Sequence, residues 1–356
     1  MSSPRIGSLC SGYGGLDMAV QSVLGGSVAW HVENDPGASA ILAHHWPETP
    51  NLGDLTAVQF DDQALDVDVV TAGFPCEDVS VAGRLAGIAE GTRSGLWLHV
   101  ARAIQALQPQ LVVIENVRGL LSAKADRGMG PDEPAVDAYS GGSRTLRALG
   151  AVLGDLAGLG FDAEWACVRA SEIGAPHQRE RVFVIAWPAD TRSSRRGTRT
   201  GLRTGEPRRR RWGRPRDLYR PAVADADLDS ARRRDRTGVL AGAPRADAKA
   251  VRDGDRHATP AIAADDAFDW GVYRPAVEQW ERLTRPSPGA VDDRGRHSPA
   301  FVEWMLGLPD GHVTRVPDLS RKAQLKALGK GMCPQQAAAA LRLLLDRAAL
   351  LAETAA

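Results

Sequence analysis

The sequence predicts an α/β architecture, a parallel β-sheet covered by helices on both faces. Short, near-continuous apolar runs recur at Ile6–Cys10, Val28–Glu33, Val67–Ala72 and Leu111–Glu115. Stretches of helical period separate them at Gly15–Leu24, Pro36–His45 and Gly95–Leu107. Strands that are apolar along both faces suit a sheet buried on both sides, and the helices supply the crossovers. After Trp187 the texture changes to Arg, Asp, Gly and Pro with almost no apolar periodicity until Phe268. That change predicts a second, smaller and irregular domain.

The stretch Gly95–Leu107 places Leu96, Val100, Ala103, Ile104 and Leu107 on one helical face. Residues 121–142 are polar and Gly-rich and read as a loop. A helix from about Ser143 to Leu159 precedes two further strands, Ala163–Val168 and Arg181–Trp187. Segments such as RTGEPRRRRWGRPRD have the composition of a chain that needs a partner to order it. Order returns at DWGVYRPAVEQWERL and SPAFVEWMLGLP, and Pro334–Leu351 reads as an Ala/Leu-rich helix. The expected division is 1–187 plus 298–356 for the large domain and 188–297 for the small one.

The net charge is zero, but between residues 190 and 260 there are 20 Lys and Arg against 10 Asp and Glu. A basic segment of this kind meets phosphates or remains solvated. The four cysteines, Cys10, Cys76, Cys167 and Cys333, form no Cys-x-x-Cys pair, so neither a disulfide framework nor a metal site is expected. No stretch approaches the roughly 20 apolar residues of a membrane span, and no secretory pattern opens the chain. A cytoplasmic protein without a membrane partner is the expectation.

Three glycines stand in the first strand-to-helix turn, Ser11-Gly12-Tyr13-Gly14-Gly15. Such a turn lets backbone amides approach a ligand closely. Glu33 follows the second strand, where an acidic residue can accept from ribose hydroxyls. Asp54, after a short third strand, is placed to accept from an adenine amino group. Together they suggest an adenosine-containing cofactor at the carboxyl ends of the strands. The next strand runs into Gly73-Phe74-Pro75-Cys76, and the one after it into Glu115-Asn116-Val117. A cysteine and a glutamate at neighbouring strand ends face one crevice. A free thiol is only a few per cent thiolate at neutral pH, so a nucleophilic Cys76 needs nearby cations.

Gly-Phe-Pro-Cys, Glu-Asn-Val about forty residues on, and then His177-Gln178-Arg179-Glu180-Arg181 resemble the C5-cytosine DNA methyltransferase family of bacterial or phage type. The resemblance runs from Ile6 to about Leu345 in the family's motif order. It implies a Rossmann-like methyltransferase domain that uses S-adenosylmethionine, with a target-recognition domain at 188–297. Cys76 matches the nucleophile that adds to C6 of cytosine, and Glu115 the residue that protonates N3. Arg181 and Arg179 match the arginines that hold the base and nearby phosphate. Ser11, Gly12, Tyr13, Gly14, Gly15, Glu33, Asp54 and Pro75 match cofactor-binding positions. The loop Glu77–Thr92 matches a lid, and the segment from Gly329 to Pro334 the last motif, which packs beside the first.

The sequence departs from the family's usual residues at Cys10, Asn34, Glu77, His177 and Lys330. None of these removes a reacting group, and together they bear on cofactor affinity. The resemblance further implies double-stranded DNA as partner, a flipped-out target base, a monomer and a nucleoid location. It leaves open a cognate restriction endonuclease, a protective methylation role and a phage source. Transfer to an exocyclic amine would call for Pro-Pro-aromatic where Phe74-Pro75-Cys76 stands. An RNA substrate for the same nucleophile remains a competing reading, as does a DNA-binding protein without turnover.

Overall fold

Six strands form one sheet in the order β2-β1-β3-β4-β8-β7. They are β1 (Arg5–Leu9), β2 (Ser27–Val32), β3 (Val69–Ala72), β4 (Leu111–Val117), β7 (Phe161–Arg169) and β8 (Glu180–Pro188). Two short strands, β5 (Lys124–Ala125) and β6 (Leu146–Arg147), pair with each other apart from it. The computed structural model describes residues 3–75, 95–121, 124–125, 146–189, 270–292 and 294–354, all within one compact unit.

The first four strands of the sheet are parallel, as the apolar runs predicted. β8 departs from that pattern and lies antiparallel to both β4 and β7. An apolar run such as VFVIAW reads the same in either direction, so its sense is set by the neighbours it pairs with. The expected third strand is reduced to one parallel bridge between His31 and Asn51. Pro50 has no N–H to extend that ladder.

The crossover helices are α1 (Gly15–Leu24), α2 (Pro36–His45), α3 (Leu96–Leu107) and α4 (Ala148–Gly158). The C-terminal part adds α5 (Arg274–Leu283), α6 (Pro299–Met305), α7 (Arg321–Lys330) and α8 (Pro334–Thr354). Helix starts follow local chemistry. Asp35 caps α2 by accepting from the amides of Gly37 and Ala38, with Pro36 in the first turn. Ser298 and Ser320 cap α6 and α7 in the same way. Helix α7 was not anticipated, because its sequence RKAQLKALGK carries too few apolar residues to mark a buried face.

On one face of the sheet, α3 and α4 bury Val100, Ile104, Val152 and Leu156 against Val112, Ile114, Val182 and Val184. On the other, α1 and α8 bury Val20, Leu341 and Leu344 against Ile6, Val113 and Phe183. A third cluster, of Tyr13, Ile41, Leu306, Val313 and Leu328, fills the space beneath the turn after β1. In a fourth, Trp280 and Trp304 pack with Ala170 and Cys333. Both indoles are fully buried and both find a carbonyl, that of Trp304 for Trp280 and that of Arg285 for Trp304. Burying a side chain of that size contributes about 4 kcal/mol of transfer free energy.

Candidate active site

The sheet's carboxyl-terminal edge carries the predicted residues. After β1 the chain turns sharply, with left-handed backbone at Cys10 (φ 52°), Gly12 (φ 56°) and Gly14 (φ 83°). Glycine takes that conformation without strain, whereas Cys10 takes it at a cost that the surrounding structure must offset. The Gly12 amide donates to Glu33 Oε2 at 2.8 Å, and the Asp35 amide donates to Glu33 Oε1 at 2.8 Å. Each carboxylate oxygen retains a further lone pair, which a hydroxyl can use. Asn51 fixes the base of this carboxylate, accepting from the Glu33 amide and donating to the Glu33 carbonyl, both at 3.0 Å.

Asp54 is exposed at the same edge. The Thr56 amide and hydroxyl, both at 2.9 Å, hold its carboxyl below the ordinary range. A Cβ on Gly12 or on Gly53 would meet no atom within 4 Å, so open space lies beside both glycines. A half-exposed carboxylate with lone pairs to spare and open space beside the turn fit an adenosine-containing cofactor. Ser11 closes the turn locally, donating through Oγ to the Ser8 carbonyl at 3.1 Å while its own carbonyl accepts from Gly14. Tyr13 is different. Its side chain is buried beneath the turn, and its hydroxyl donates to the Met332 carbonyl.

Sequence reasoning passed over Asp17, on α1 directly below the turn. It is buried and accepts from Ser8 Oγ at 2.7 Å and Thr71 Oγ1 at 2.6 Å, which ties β1 to β3. Burial pushes its pKa up to about 6. His31 Nδ1 lies 3.8 Å away, and burial lowers that imidazole to about 4. The available signal was an acidic residue inside the apolar stretch GLDMAV.

β3 delivers Gly73, Phe74 and Pro75 to the same edge. The ring of Phe74 packs on Trp97 with centroids 5.3 Å apart, while Pro75 is exposed. Asn116, on β4, donates through Nδ2 to the Phe74 carbonyl at 2.9 Å. Its neighbour Glu115 pairs with Arg181 on β8, Oε1 to Nε at 2.7 Å. Arg181 stands opposite Val117, two residues from Glu115, so the pair is a diagonal one on a single sheet face. Burial raises the Glu115 carboxyl, and the Arg181 and then Arg179 guanidinium charges oppose that rise. A Cβ on Gly73 would lie 3.5 Å from the Cys10 carbonyl and 3.7 Å from Glu115 Oε2. The glycine-rich turn and the carboxylate thus meet at the end of β3.

Arg179 has hydrogen-bond partners different from those of Arg181. Its guanidinium donates to the carbonyls of Gly329, at 3.0 Å, and Gly331. His177 lies within 2.9 Å of the Met305 carbonyl through Nε2. Cys76, the loop Glu77–Thr92 and the Arg-rich stretch up to 269 lie outside the described residues. Among the described residues no helix is long and apolar enough to cross a membrane.

The C-5 cytosine-specific DNA methylase profile matches residues 5–207. The chain is 32% identical over 152 residues to the type II methyltransferase M.NgoBV of Neisseria gonorrhoeae, covering 43% of this chain and 32% of that one. It is 32% identical over 184 residues to M.HpaII of Haemophilus parainfluenzae, covering 51% and 46%. A DNA N-6-adenine-methyltransferase of Escherichia phage P1 is 32% identical over 212 residues, covering 51% of this chain and 28% of the phage protein. The chain thus spans less than half the length of these curated relatives. The Dnmt2 methyltransferase of S. pombe superposes with a TM-score of 0.53 at 14% identity, covering 97% of this chain and 99% of that one, a likeness of fold. With the profile matched over more than half of its length, the chain belongs to the C-5 cytosine-specific DNA methylase family.

Proposed function

We propose that the protein is a DNA (cytosine-5-)-methyltransferase that methylates a flipped-out cytosine in double-stranded DNA through a covalent adduct with Cys76. The observation that carries this reading is the convergence at Gly73. There the Cys10 carbonyl of the glycine-rich turn and the Glu115 carboxylate approach the end of β3 from either side, one step before Phe74-Pro75-Cys76. Cofactor, base and nucleophile are thereby assigned to one crevice at the carboxyl ends of parallel strands.

The Ser11–Gly15 turn with Glu33, Asp54 and Pro75 would hold S-adenosylmethionine, which would supply the methyl group. Protonated Glu115 donates to N3 of the cytosine, which draws electrons from C6. The Cys76 thiolate then adds to C6, and C5 becomes the carbon nucleophile that takes the methyl group as its bond to the donor's sulfonium sulfur breaks, leaving a neutral thioether. A base removes the C5 proton, and the C6–S bond breaks to return Cys76 as thiolate. Burial favours the protonated form of Glu115, the form that donates. Arg181 orients that carboxyl and adds positive potential, which favours a thiolate.

The segment 188–297 is assigned the choice of DNA sequence, with its basic stretch meeting phosphates. Restriction–modification or protective methylation is the role that the type II relatives suggest, and the cytoplasm the place. Transfer to an adenine amine, as the phage P1 relative's name describes, would leave the pairing of Cys76 with Glu115 without a task.

Base-resolution mapping of 5-methylcytosine in cells expressing the protein, beside Cys76→Ser, tests the proposal. Methylation at a recurring sequence that vanishes in the variant is expected. Methylation that survives Cys76→Ser overturns the mechanism, and 6-methyladenine in its place overturns the reaction.

A further inference from the structure

The segment between α7 and α8 is gripped from two sides. On one side stands Tyr13. Gly331 lies so close to its ring that a Cβ there would collide with it, and the Tyr13 hydroxyl donates to the carbonyl of Met332. On the other stands Arg179, at the entry to β8, with one guanidinium nitrogen donating to the carbonyls of Gly329 and Gly331. Gln336, in the first turn of α8, closes the arrangement by donating through Nε2 to the Arg179 carbonyl at 2.8 Å and the Val168 carbonyl at 2.7 Å. An unbroken chain of contacts therefore runs from Arg179 through residues 329–332 to the middle of the glycine-rich turn.

That turn needs support. Three of its five residues from Cys10 to Gly14 have positive φ, one of them the non-glycine Cys10. Backbone of this kind persists only where its surroundings hold it. Tyr13 is the turn's anchor, with its ring and hydroxyl held by the 329–332 segment and its carbonyl 2.9 Å from His312 Nε2. Arg179 holds that segment in turn. An arginine that contacts a phosphate presents its fork outward. Arg179 instead turns toward two protein carbonyls, and its Nε is buried. Arg181, two residues on and on the same side of the strand, takes Glu115. The entry to β8 thus has one arginine paired with Glu115 and one hydrogen-bonded to the segment that supports the turn.

We infer that Arg179 is a positioning residue for cofactor binding, acting through the 329–332 segment and Tyr13, and not a contact to DNA phosphate. The inference rests on the assignment of the Ser11–Gly15 turn to S-adenosylmethionine.

Calorimetric titration of the full chain with S-adenosylmethionine, and of DNA at several salt concentrations, tests it on the wild type, Arg179→Gln, Arg179→Lys and Tyr13→Phe. Arg179→Gln should weaken cofactor binding at least about tenfold, the effect of losing even one of its two charge-assisted hydrogen bonds. The KM for S-adenosylmethionine should rise in step, and Arg179→Lys, which keeps the positive charge near Glu115, should recover part of the loss. Tyr13→Phe keeps the ring's volume and should weaken the cofactor in the same direction. The double variant should lose less than the sum of the two, because both act through one segment.

Unchanged cofactor affinity in Arg179→Gln overturns the inference. So does a loss confined to DNA, with a salt dependence shallower by about one phosphate. If Arg179→Gln does not fold, Tyr13→Phe decides alone. A folded wild type that fails to bind S-adenosylmethionine overturns the cofactor assignment, and this inference with it.

Discussion

Asn116 Nδ2 donates to the Phe74 carbonyl at 2.9 Å, so the strand that carries Glu115 also holds the segment that leads into Cys76. The same side chain accepts from the Val117 amide at 2.8 Å. Asn116 is buried, and its bond to Phe74 joins two strand ends that must stay in register for Glu115 and Cys76 to address one base.

Asn116→Asp keeps the acceptor for Val117 and removes the donor to Phe74. Leaving that carbonyl unsatisfied should destabilise the protein by about 1–3 kcal/mol, measurable by urea unfolding. Single-turnover methylation should slow by up to about 100-fold, the effect of a misplacement near 1 Å. A full rate from the destabilised variant would separate the bond from catalysis.

The Glu115–Arg181 pair predicts a pH effect. Burial raises the Glu115 carboxyl and Arg181 opposes that rise. If protonated Glu115 donates to N3, activity falls as pH rises through its titration. Arg181→Gln removes the opposing charge, so the falling limb of the kcat profile should move to higher pH, while kcat itself drops about 100-fold or more. Glu115→Gln should lose that limb altogether. A limb at the same pH in all three proteins would assign it to another group.

His312 predicts a loss of stability in acid. It is buried between Tyr13 and His45, edge-on to the first ring and stacked on the second at 4.1 Å. Burial lowers its pKa to about 4, with the nearby His45 and His44 adding to the effect and the Tyr13 carbonyl opposing it. The folded state therefore binds this proton less tightly than the unfolded chain, whose histidine titrates near 6.5. The contribution is fully present above about pH 6.5 and is lost as pH falls toward 4, by roughly 2–3 kcal/mol. His312→Gln retains a donor for the Tyr13 carbonyl and should flatten the unfolding free energy across that window. A slope equal to the wild type's would assign the loss to other groups.

Much of the site was legible because strand ends are local features. The apolar run from Leu111 to Ile114 marks a buried strand wherever it pairs, and Glu115 must then stand at its end. The same reasoning set Glu33 after β2 and the glycines after β1. By itself the sequence determined the α/β order, the residues at the carboxyl edge and, through Gly-Phe-Pro-Cys and Glu-Asn-Val, the family. Only the tertiary structure decided the antiparallel sense of β8, the inward turn of Tyr13 and the partners of Arg179 and Asn116. The first depends on the ladders with β4 and β7, and the others on hydrogen bonds between residues 42, 150 and 319 positions apart. Hydrophobic period reports which face of an element is buried, but not what it is buried against. A polar group's partner at such separations is fixed only when packing brings the two together.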